Sequence, residues 1–256
     1  MTAGPARSQP HQEISDAHVA TIGAADLSGY WWYAVRQGHV QEALAPLLSR
    51  GELRYLDLGC GTGGVMSAVI ASLQPRLALG LDGTQAAVDM ACSRGLPARH
   101  ADFREPLQIP FRPNAISCLD VLEHLEDPVL ALRHLADVAS PDAVLVVTVP
   151  AMPSLHSRWD DLCGHHRRYT RALLGQHLRD GGWRCGRMRH FFSYCVPPAW
   201  VQRSLLKRVQ EVEFPPVSPL ANRVLTWAGR LERGLGSPLP FGTSLVATAT
   251  LAPRGS

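Results

Sequence analysis

A glycine-rich turn that follows a short apolar run is the first feature of this sequence that could do chemistry. The segment YLDLGCGTGG occupies residues 55–64 and places Asp57 two residues before Gly59. Glycines have no side chain, so the backbone of such a turn can lie directly against a ligand. A carboxylate at the end of the strand would attract a cationic group and repel a pyrophosphate. The segment therefore predicts a binding site for a ligand that carries positive charge.

A second acid follows at the end of the next predicted strand. Asp82, in LGLDGT, stands 18 residues after Gly64, close to the offset at which an acid binds ribose hydroxyls. Gly59, Gly61 and Gly64 also satisfy the GxGxxG pattern of dinucleotide-binding proteins, which alone is weak evidence. These residues leave two ligand classes open, a dinucleotide and a nucleoside with a cationic group. Either acid could instead merely cap the following helix.

Further segments decide between these classes, because four of them in order resemble the motifs of class I S-adenosylmethionine-dependent methyltransferases. DLGCGTG resembles the first motif, LGLDGT agrees with the second, ADFREPLQIPF at 101–111 resembles the third, and ISCLDVLEHLEDP at 116–128 resembles the fourth. The resemblance covers residues 53 to about 170 and implies S-adenosylmethionine as the cofactor. It implies that Asp102 takes the adenine amino group and that His124 faces the cofactor. The expected cofactor-binding residues are Arg36, Asp57, Gly59, Cys60, Gly61, Asp82, Gly83, Asp102, Phe103, Asp120 and Val121.

The connection after the fifth predicted strand holds a second group of reactive side chains. RWDDLCGHHRRYTRALL spans residues 158–174, at the strand end where α/β folds bind ligands. An imidazole can take a proton near neutral pH, and a guanidinium can bind a phosphate or carboxylate through two hydrogen bonds. The expected catalytic residues are His124, His165 and His166. The expected acceptor-binding residues are Trp32, Arg167, Arg168 and Tyr169.

Another interpretation of this connection stays open. Arg167 and Arg168 could pair with Asp160 and Asp161 and simply hold the connection together. A metal site is not predicted, because adjacent histidines usually point apart and the spacing matches no common site. The residues of that rejected site are His156, Cys163, His165 and His166.

Four consecutive aromatic residues, 30–33, precede the first predicted strand. In the methyltransferase superfamily this region often forms a cap over the cofactor. The resemblance then implies that Trp32 and Arg36 close the site, with Arg36 reaching the cofactor's carboxylate. Core packing of the aromatic residues is the alternative. YWWYAVR, GHHRRYTRALL and LPFGTSLVA together resemble bacterial methyltransferases related to the ubiquinone-biosynthesis type.

The elements that must position these residues alternate between strand and helix, which predicts a doubly wound sheet. Strands are expected at 54–58, 77–81, 98–101, 115–119, 143–149, 183–191 and 243–251. Helices are expected at 35–48, 64–73, 85–94, 128–138, 171–180 and about 220–235. The expected fold class is α/β, with a Rossmann-like, seven-stranded, mostly parallel sheet, helices on both faces and a helical insertion near the C-terminus.

The expected domain organisation is a single catalytic domain with additions. A disordered tail is predicted at 1–15, an aromatic and helical cap at 16–52, the methyltransferase domain at 53–251 and a second tail at 252–256. Within the domain, residues 151–180 form the acceptor loop and helix, and residues 192–240 form the helical insertion.

Composition narrows the function classes. Hydrophobic residues make up 46% and charged residues 18%, as in a folded globular protein, and the six cysteines form no CxxC pair, which favours reduced thiols. No apolar run is long enough for a membrane span, so a cytoplasmic protein is expected. The net charge is +3, but residues 158–190 hold eight arginines and three aspartates. This local excess favours an anionic acceptor or an anionic membrane surface, although a solvated surface is the alternative.

The leading interpretation is methyl transfer, preferably to oxygen, on a small or lipid-linked and anionic acceptor. An NAD(P)-dependent oxidoreductase and a non-catalytic, cofactor-binding partner subunit are the alternatives. A nucleic acid partner is not expected, because the fourth motif lacks an NPPY-type signature and no strongly basic domain is present. Peripheral membrane contact through the arginine-rich segment and the 220–235 helix would suit a lipid-linked acceptor.

Overall fold

The computed structural model describes residues 29–201 and 217–253, in which strands and helices alternate as the pattern predicts. The strands are β1 (Arg54–Leu58), β2 (Leu77–Asp82), β3 (Ala98–His100), β4 (Ala115–Leu119), β5 (Val144–Pro150), β6 (Trp183–Phe191) and β7 (Ser244–Leu251). The α-helices are α1 (Trp31–Leu44), α2 (Gly64–Leu73), α3 (Gln85–Ser93), α4 (Pro128–Val138), α5 (Arg158–Leu162), α6 (Arg171–Asp180), α7 (Val196–Val201) and α8 (Pro219–Gly234).

The seven strands form one sheet in the order β3-β2-β1-β4-β5-β7-β6. β1 to β5 pair in parallel, whereas β7 runs antiparallel to both β5 and β6. The predicted Rossmann-like, mostly parallel sheet is therefore confirmed. The strand order reverses between β1 and β4, and such a reversal creates a crevice at the carboxyl ends of the strands, where α/β proteins bind ligands.

Helices cover both faces of the sheet, so the core has two halves. On one face α4 and α6 pack against Leu56, Ile116 and Cys118, which are fully buried. On the other face α1 and α2 pack against Tyr55 and Val146. Central strands buried on both sides explain the nearly continuous apolar runs in the sequence.

The first helix is the element whose predicted bounds were wrong. It begins at Trp31 rather than Val35 and ends at Leu44, where a 3₁₀ turn, Ala45–Arg50, continues to Gly51. Pro46 explains the early end, because proline has no N–H with which to continue the hydrogen bonds of the α-helix. The predicted strand bounds agree with the structure to within one residue.

The long connection after β5 is more ordered than the sequence suggested. It contains a 3₁₀ turn at Pro153–Leu155 and the short helix α5, whose start is a capping box formed by Ser157 and Asp160. The predicted tail at 1–15 and part of the helical insertion fall outside the described residues. Within residues 29–201 and 217–253, none of the helices is both long and apolar enough to span a membrane.

Candidate functional site

A large cavity opens at the carboxyl ends of the central strands, with a volume of about 2260 Å³. The ends of β1, β2 and β4 each contribute an acid to its wall, namely Asp57, Asp82 and Asp120. The wall also includes residues of α1 and of the connection after β5. The topology thus brings together the glycine turn, the aromatic segment and the histidine-rich loop.

The glycine turn after β1 has the conformation that only glycine adopts easily. Gly59, Gly61 and Gly63 have φ values of +75°, +54° and +85°. The backbone N–H groups of Gly59 and Cys60 both donate to the carbonyl oxygen of Leu81, at 2.7 and 3.0 Å. The turn is therefore tied to the end of β2, which fixes its position over the cavity.

Asp82 supports this turn as well as facing the cavity. Its carboxylate accepts hydrogen bonds from the backbone N–H of Gly61 at 2.7 Å and of Thr84 at 2.9 Å. Burial raises the pKa of Asp82, and these hydrogen bonds oppose that rise. One carboxylate therefore links the glycine turn to the start of α3, a role that the sequence spacing did not reveal.

Asp57 lies fully buried at the end of β1. The Ser117 hydroxyl donates to its carboxylate at 2.6 Å, and the Tyr55 hydroxyl in turn lies 2.6 Å from Ser117 Oγ. Burial raises the pKa of Asp57 to about 6. An acid with this pKa is ionised at neutral pH but poorly solvated, so a ligand cation beside it would stabilise the charged form.

The cavity fits a nucleoside with a cationic amino-acid tail better than it fits a phosphate. A Cβ on Gly61 would meet no atom within 4 Å, so the turn leaves open space at the cavity wall. A Cβ on Gly59 would lie 2.1 Å from Val121 Cγ2, so the turn also packs closely against the end of β4. Asp57 and Asp82, at two neighbouring strand ends, would attract a sulfonium and an ammonium group and repel a pyrophosphate.

Arg36 and Asp120, both expected to contact the cofactor, form an ion pair with each other across the cavity wall. The Arg36 guanidinium also lies 4.2 Å from the Trp32 ring centroid and 5.2 Å from the Tyr33 centroid. Thr148 Oγ1 donates to the other carboxylate oxygen of Asp120 at 3.2 Å. Arg36 is thus held at the wall, so its predicted contact with a cofactor carboxylate requires an exchange of partners.

The predicted adenine site contains a similar pair. The Asp102 carboxylate accepts hydrogen bonds from Arg104, with the closest at 2.6 Å, and this partner lowers the pKa of Asp102. The Arg104 side chain is 82% exposed, so the pair is weak and easily exchanged. Phe103 is buried at the cavity wall.

A second group of polar side chains lies around His165. Its Nδ1 is 3.1 Å from the fully buried Asp160 carboxylate, to which Arg168 Nε also donates at 2.7 Å. An Nδ1–H that donates to Asp160 leaves Nε2 as the ring atom with a free lone pair. His124 packs edge-on against His165, with ring centroids 4.7 Å apart. His165 therefore has the arrangement of an oriented base at the cavity wall.

Glu123 completes this group and was missed by sequence analysis. Its carboxylate is fully buried, and no other described residue supplies a hydrogen bond to it. Burial raises the pKa of Glu123 well above its usual range, and Asp120 adds to the rise. Ligand atoms of Glu123, His124 and His165 lie within 4.8 Å of one another, so the group could hold a metal ion.

The structure divides the predicted acceptor residues into two sets. Trp32, His165, His166 and Arg168 line the cavity, whereas Arg167 and Tyr169 are not part of its wall. Arg167 donates to the carbonyl oxygen of Glu126. Tyr169 is fully buried, and its hydroxyl donates to the carbonyl oxygen of Leu122. Arg168 is buried against Asp160, as the structural interpretation of the loop predicted, so its charge is already paired.

Two functional candidates, Asp160 and Glu123, carried little signal in the sequence. Ser157 and Asp160 form a capping box, a common structural pattern, and this pattern gives no sign of the second contact of Asp160, with His165. Glu123 lies in the 3₁₀ turn Leu122–His124 after β4, and its burial depends on how that turn packs against β5. The group of possible metal ligands that the structure brings together also differs from the site rejected on sequence grounds. The two groups share only His165.

The family model that matches this chain is described as a methyltransferase domain and covers residues 33–214. A ubiquinone biosynthesis O-methyltransferase of Bordetella pertussis is 29% identical over 160 residues, which cover 55% of this chain and 64% of that protein. An uncharacterized 37.1 kDa protein in transposon TN4556 of Streptomyces fradiae is 29% identical over 166 residues, which cover 62% and 48%. The chain therefore spans less than two thirds of the length of these curated relatives.

Solved structures agree on the fold. The [4+2]-cyclase SpnF superposes with a TM-score of 0.62 and 19% identity, covering 98% of this chain and all of that one. Magnesium protoporphyrin IX methyltransferase (ChlM) from Synechocystis PCC 6803 with bound SAM gives a TM-score of 0.54 and 15% identity, covering 97% and 100%. At these identities the likeness concerns the fold alone.

Proposed function

This chain belongs to the methyltransferase-domain family, and we propose that it uses S-adenosylmethionine as its methyl donor. We propose that it methylates an oxygen of a small, anionic acceptor, either free or lipid-linked. One observation carries the proposal. The acid-lined glycine turn and His165, which Asp160 orients, open into the same cavity. A site for a cationic donor and a base for a hydroxyl acceptor therefore share one space.

The residues around the glycine turn would hold the donor. S-adenosylmethionine supplies an electrophilic methyl group on a positively charged sulfur, and the leaving thioether is neutral. Asp57 would offer negative charge to the amino-acid end, and Asp82 would accept from the ribose hydroxyls. Asp102 and Phe103 would bind the adenine. Positioning of this kind supplies much of the rate in such transfers.

The acceptor side needs a base when the acceptor atom is a hydroxyl oxygen, because a neutral hydroxyl is a weak nucleophile. Nε2 of His165 would take that proton, while Asp160 stabilises the imidazolium through Nδ1. His124, packed against His165, would limit how the acceptor approaches. The name of the Bordetella relative as an O-methyltransferase supports oxygen as the acceptor atom.

The anionic character of the acceptor rests on the local charge of residues 158–190, since Arg168 is already paired with Asp160. Its lipid-linked form would require a surface that binds membranes. We also propose that the protein works in the cytoplasm, peripherally to the inner face of the membrane when the acceptor is a lipid.

Glu123, His124 and His165 could also hold a divalent cation, which would supply Lewis-acid activation of the acceptor hydroxyl at the same place. A carboxylate and two imidazoles suit such an ion. The two chemistries differ in a simple measurement. A metal-dependent enzyme loses turnover in a chelator and regains it with added Zn²⁺ or Fe²⁺, which accept imidazole ligands, whereas a base-dependent enzyme keeps its turnover.

Family membership removes the oxidoreductase alternative. The non-catalytic alternative needs an activity test, because one fold can serve several functions. We would incubate the protein with isotope-labelled S-adenosylmethionine and a lysate of its source organism, and follow label in small molecules and extracted lipids by mass spectrometry. Label in an O-methyl product together with S-adenosylhomocysteine is expected. Absence of acceptor-dependent S-adenosylhomocysteine would contradict the proposal.

A further inference from the structure

Helix α8 presents an apolar face to solvent. Leu220, Val224, Trp227, Leu231 and Leu235 follow one another at intervals of three and four residues, which places them on one side of the helix. We call these five residues the apolar stripe. Each of their side chains is between 46% and 72% exposed. Most amphipathic helices of globular proteins bury such a stripe, so its exposure needs an explanation.

The opposite face of α8 is fixed to the rest of the protein, which rules out an alternative rotation of the helix. Glu232 accepts hydrogen bonds from the backbone N–H groups of Phe192 and Ser193, at 2.7 and 3.0 Å. A Cβ on Gly229 would lie 2.3 Å from Val35 Cγ2, so the helix packs closely on α1. These contacts of Glu232 and Gly229 therefore fix the helix with its apolar stripe facing solvent.

The charges on α8 are segregated as well. Its one acid, Glu232, is turned inwards and buried, whereas Arg223 and Arg230 are exposed and flank the stripe. Neither arginine has an ion pair within the part of the chain that the structure describes. The outward surface therefore combines apolar side chains with positive charge and lacks negative charge. This is the composition of a helix that lies in the interface of an anionic membrane.

We infer that α8 binds peripherally to membranes that contain anionic phospholipids, with the apolar stripe inserted among the acyl chains and Arg223 and Arg230 at the headgroups. A single helix face is small beside the roughly 800 Å² per partner of a stable protein interface. In a dimer through this face, moreover, the arginines of both copies would crowd a contact that carries no acid. Lipid is therefore the occupant that the charges favour.

The inferred membrane surface adjoins the cavity. Leu225 of α8, Val217 just before it, and Pro198 and Ala199 of α7 all line the cavity wall. Trp200 of α7 is 53% exposed on the same insertion. If the proposed methyl transfer is correct, a membrane-bound enzyme could take a lipid-linked acceptor directly from the bilayer. The binding itself does not depend on that function.

The test is co-sedimentation of the full chain, without cofactor, with vesicles of phosphatidylcholine alone or mixed with phosphatidylglycerol. We expect binding to the mixed vesicles, and at least about tenfold weaker binding for W227Q/L231Q because two inserted side chains are lost. R223Q/R230Q should lose the preference for phosphatidylglycerol. Leu77→Gln, which changes an exposed leucine on β2, is the matched control and should bind like the wild type.

Three results would overturn the inference. The first is that the wild type stays in the supernatant with both vesicle types, and the second is that W227Q/L231Q sediments as well as the wild type. The third is a dimer, seen by light scattering without lipid, that W227Q/L231Q abolishes, which would assign the stripe to a second copy. Coverage of the stripe by residues 202–216 would give the first of these results. Thermal stabilisation by S-adenosylmethionine, measured in parallel, confirms that each variant is folded and tests the cofactor site separately.

Discussion

At the scale of single residues, the site depends on carboxyl groups whose surroundings differ. Asp57 is fully buried beside Ser117, Asp82 is tied to the glycine turn, and Glu123 is buried without a partner from another described residue. Their pKa values are raised chiefly by burial. Such groups cost stability unless a ligand compensates them, which is typical of binding sites.

The free-energy cost of burying the Asp57 carboxylate can be measured from the pH dependence of stability. Its folded pKa of about 6 is above its ordinary value of 3.8, so the folded protein binds the Asp57 proton more tightly than the unfolded chain does. The resulting stabilisation is complete below the unfolded pKa and is lost as the pH rises through the folded pKa. Asp57→Asn cannot ionise, so its free energy of unfolding relative to the wild type should rise by about 2–3 kcal/mol between about pH 4 and pH 7. Urea denaturation of both proteins across that range measures it, and parallel curves would contradict the assignment.

His165 allows a test of the proposed base. His165→Ala should lower turnover roughly 100-fold or more, because no side chain would then accept the proton of the acceptor hydroxyl. The affinity for S-adenosylmethionine should stay unchanged. His156→Ala changes a histidine of the same connection that lies outside the cavity wall, and should leave turnover unaffected. Equal rates for the two variants would give His165 a purely structural role.

At the scale of elements, the sequence predicted the strands well because β1, β4 and β5 are short apolar runs bounded by turn residues. The start of α1 was wrong because Trp31 and Trp32 have no clear helical periodicity, and its end was wrong because the effect of Pro46 was not considered. The site was predicted where residues follow a strand end, as for Asp57 and Asp82. Glu123 was missed because its burial depends on how the turn after β4 packs in three dimensions. The pairing of Asp160 with Arg168 was foreseen, but the second contact of Asp160, with His165, has no signature in the sequence.

The glycine turn can be tested with two alanine substitutions in matched backbone conformations. Gly61 and Gly95 both have positive φ, and a Cβ on either would meet no atom within 4 Å. Each substitution should cost about 1–2 kcal/mol of stability, because alanine disfavours this conformation. Only Gly61 lines the cavity, so only Gly61→Ala should also weaken cofactor binding, by at least about tenfold in a calorimetric titration. Similar weakening by Gly95→Ala would mean that strain alone causes the effect.

At the scale of the whole molecule, the switch in strand order places the donor site, the histidine-rich loop and the helical insertion around one cavity. The fold alone does not determine the reaction, since a [4+2]-cyclase has a similar structure. The chemistry at the strand ends narrows the choice of ligand, because Asp57 places a negative charge beside a glycine turn whose pattern a dinucleotide site could share. The account therefore depends on which nucleotide the cavity binds.

Isothermal titration calorimetry of the wild type and Asp82→Ala, with S-adenosylmethionine and with NADH, tests that claim most directly. We expect S-adenosylmethionine to bind the wild type, Asp82→Ala to lose about 1–3 kcal/mol of that binding free energy, and NADH to produce no binding heat. Tight binding of NADH by the wild type, with no binding of S-adenosylmethionine, would contradict the account.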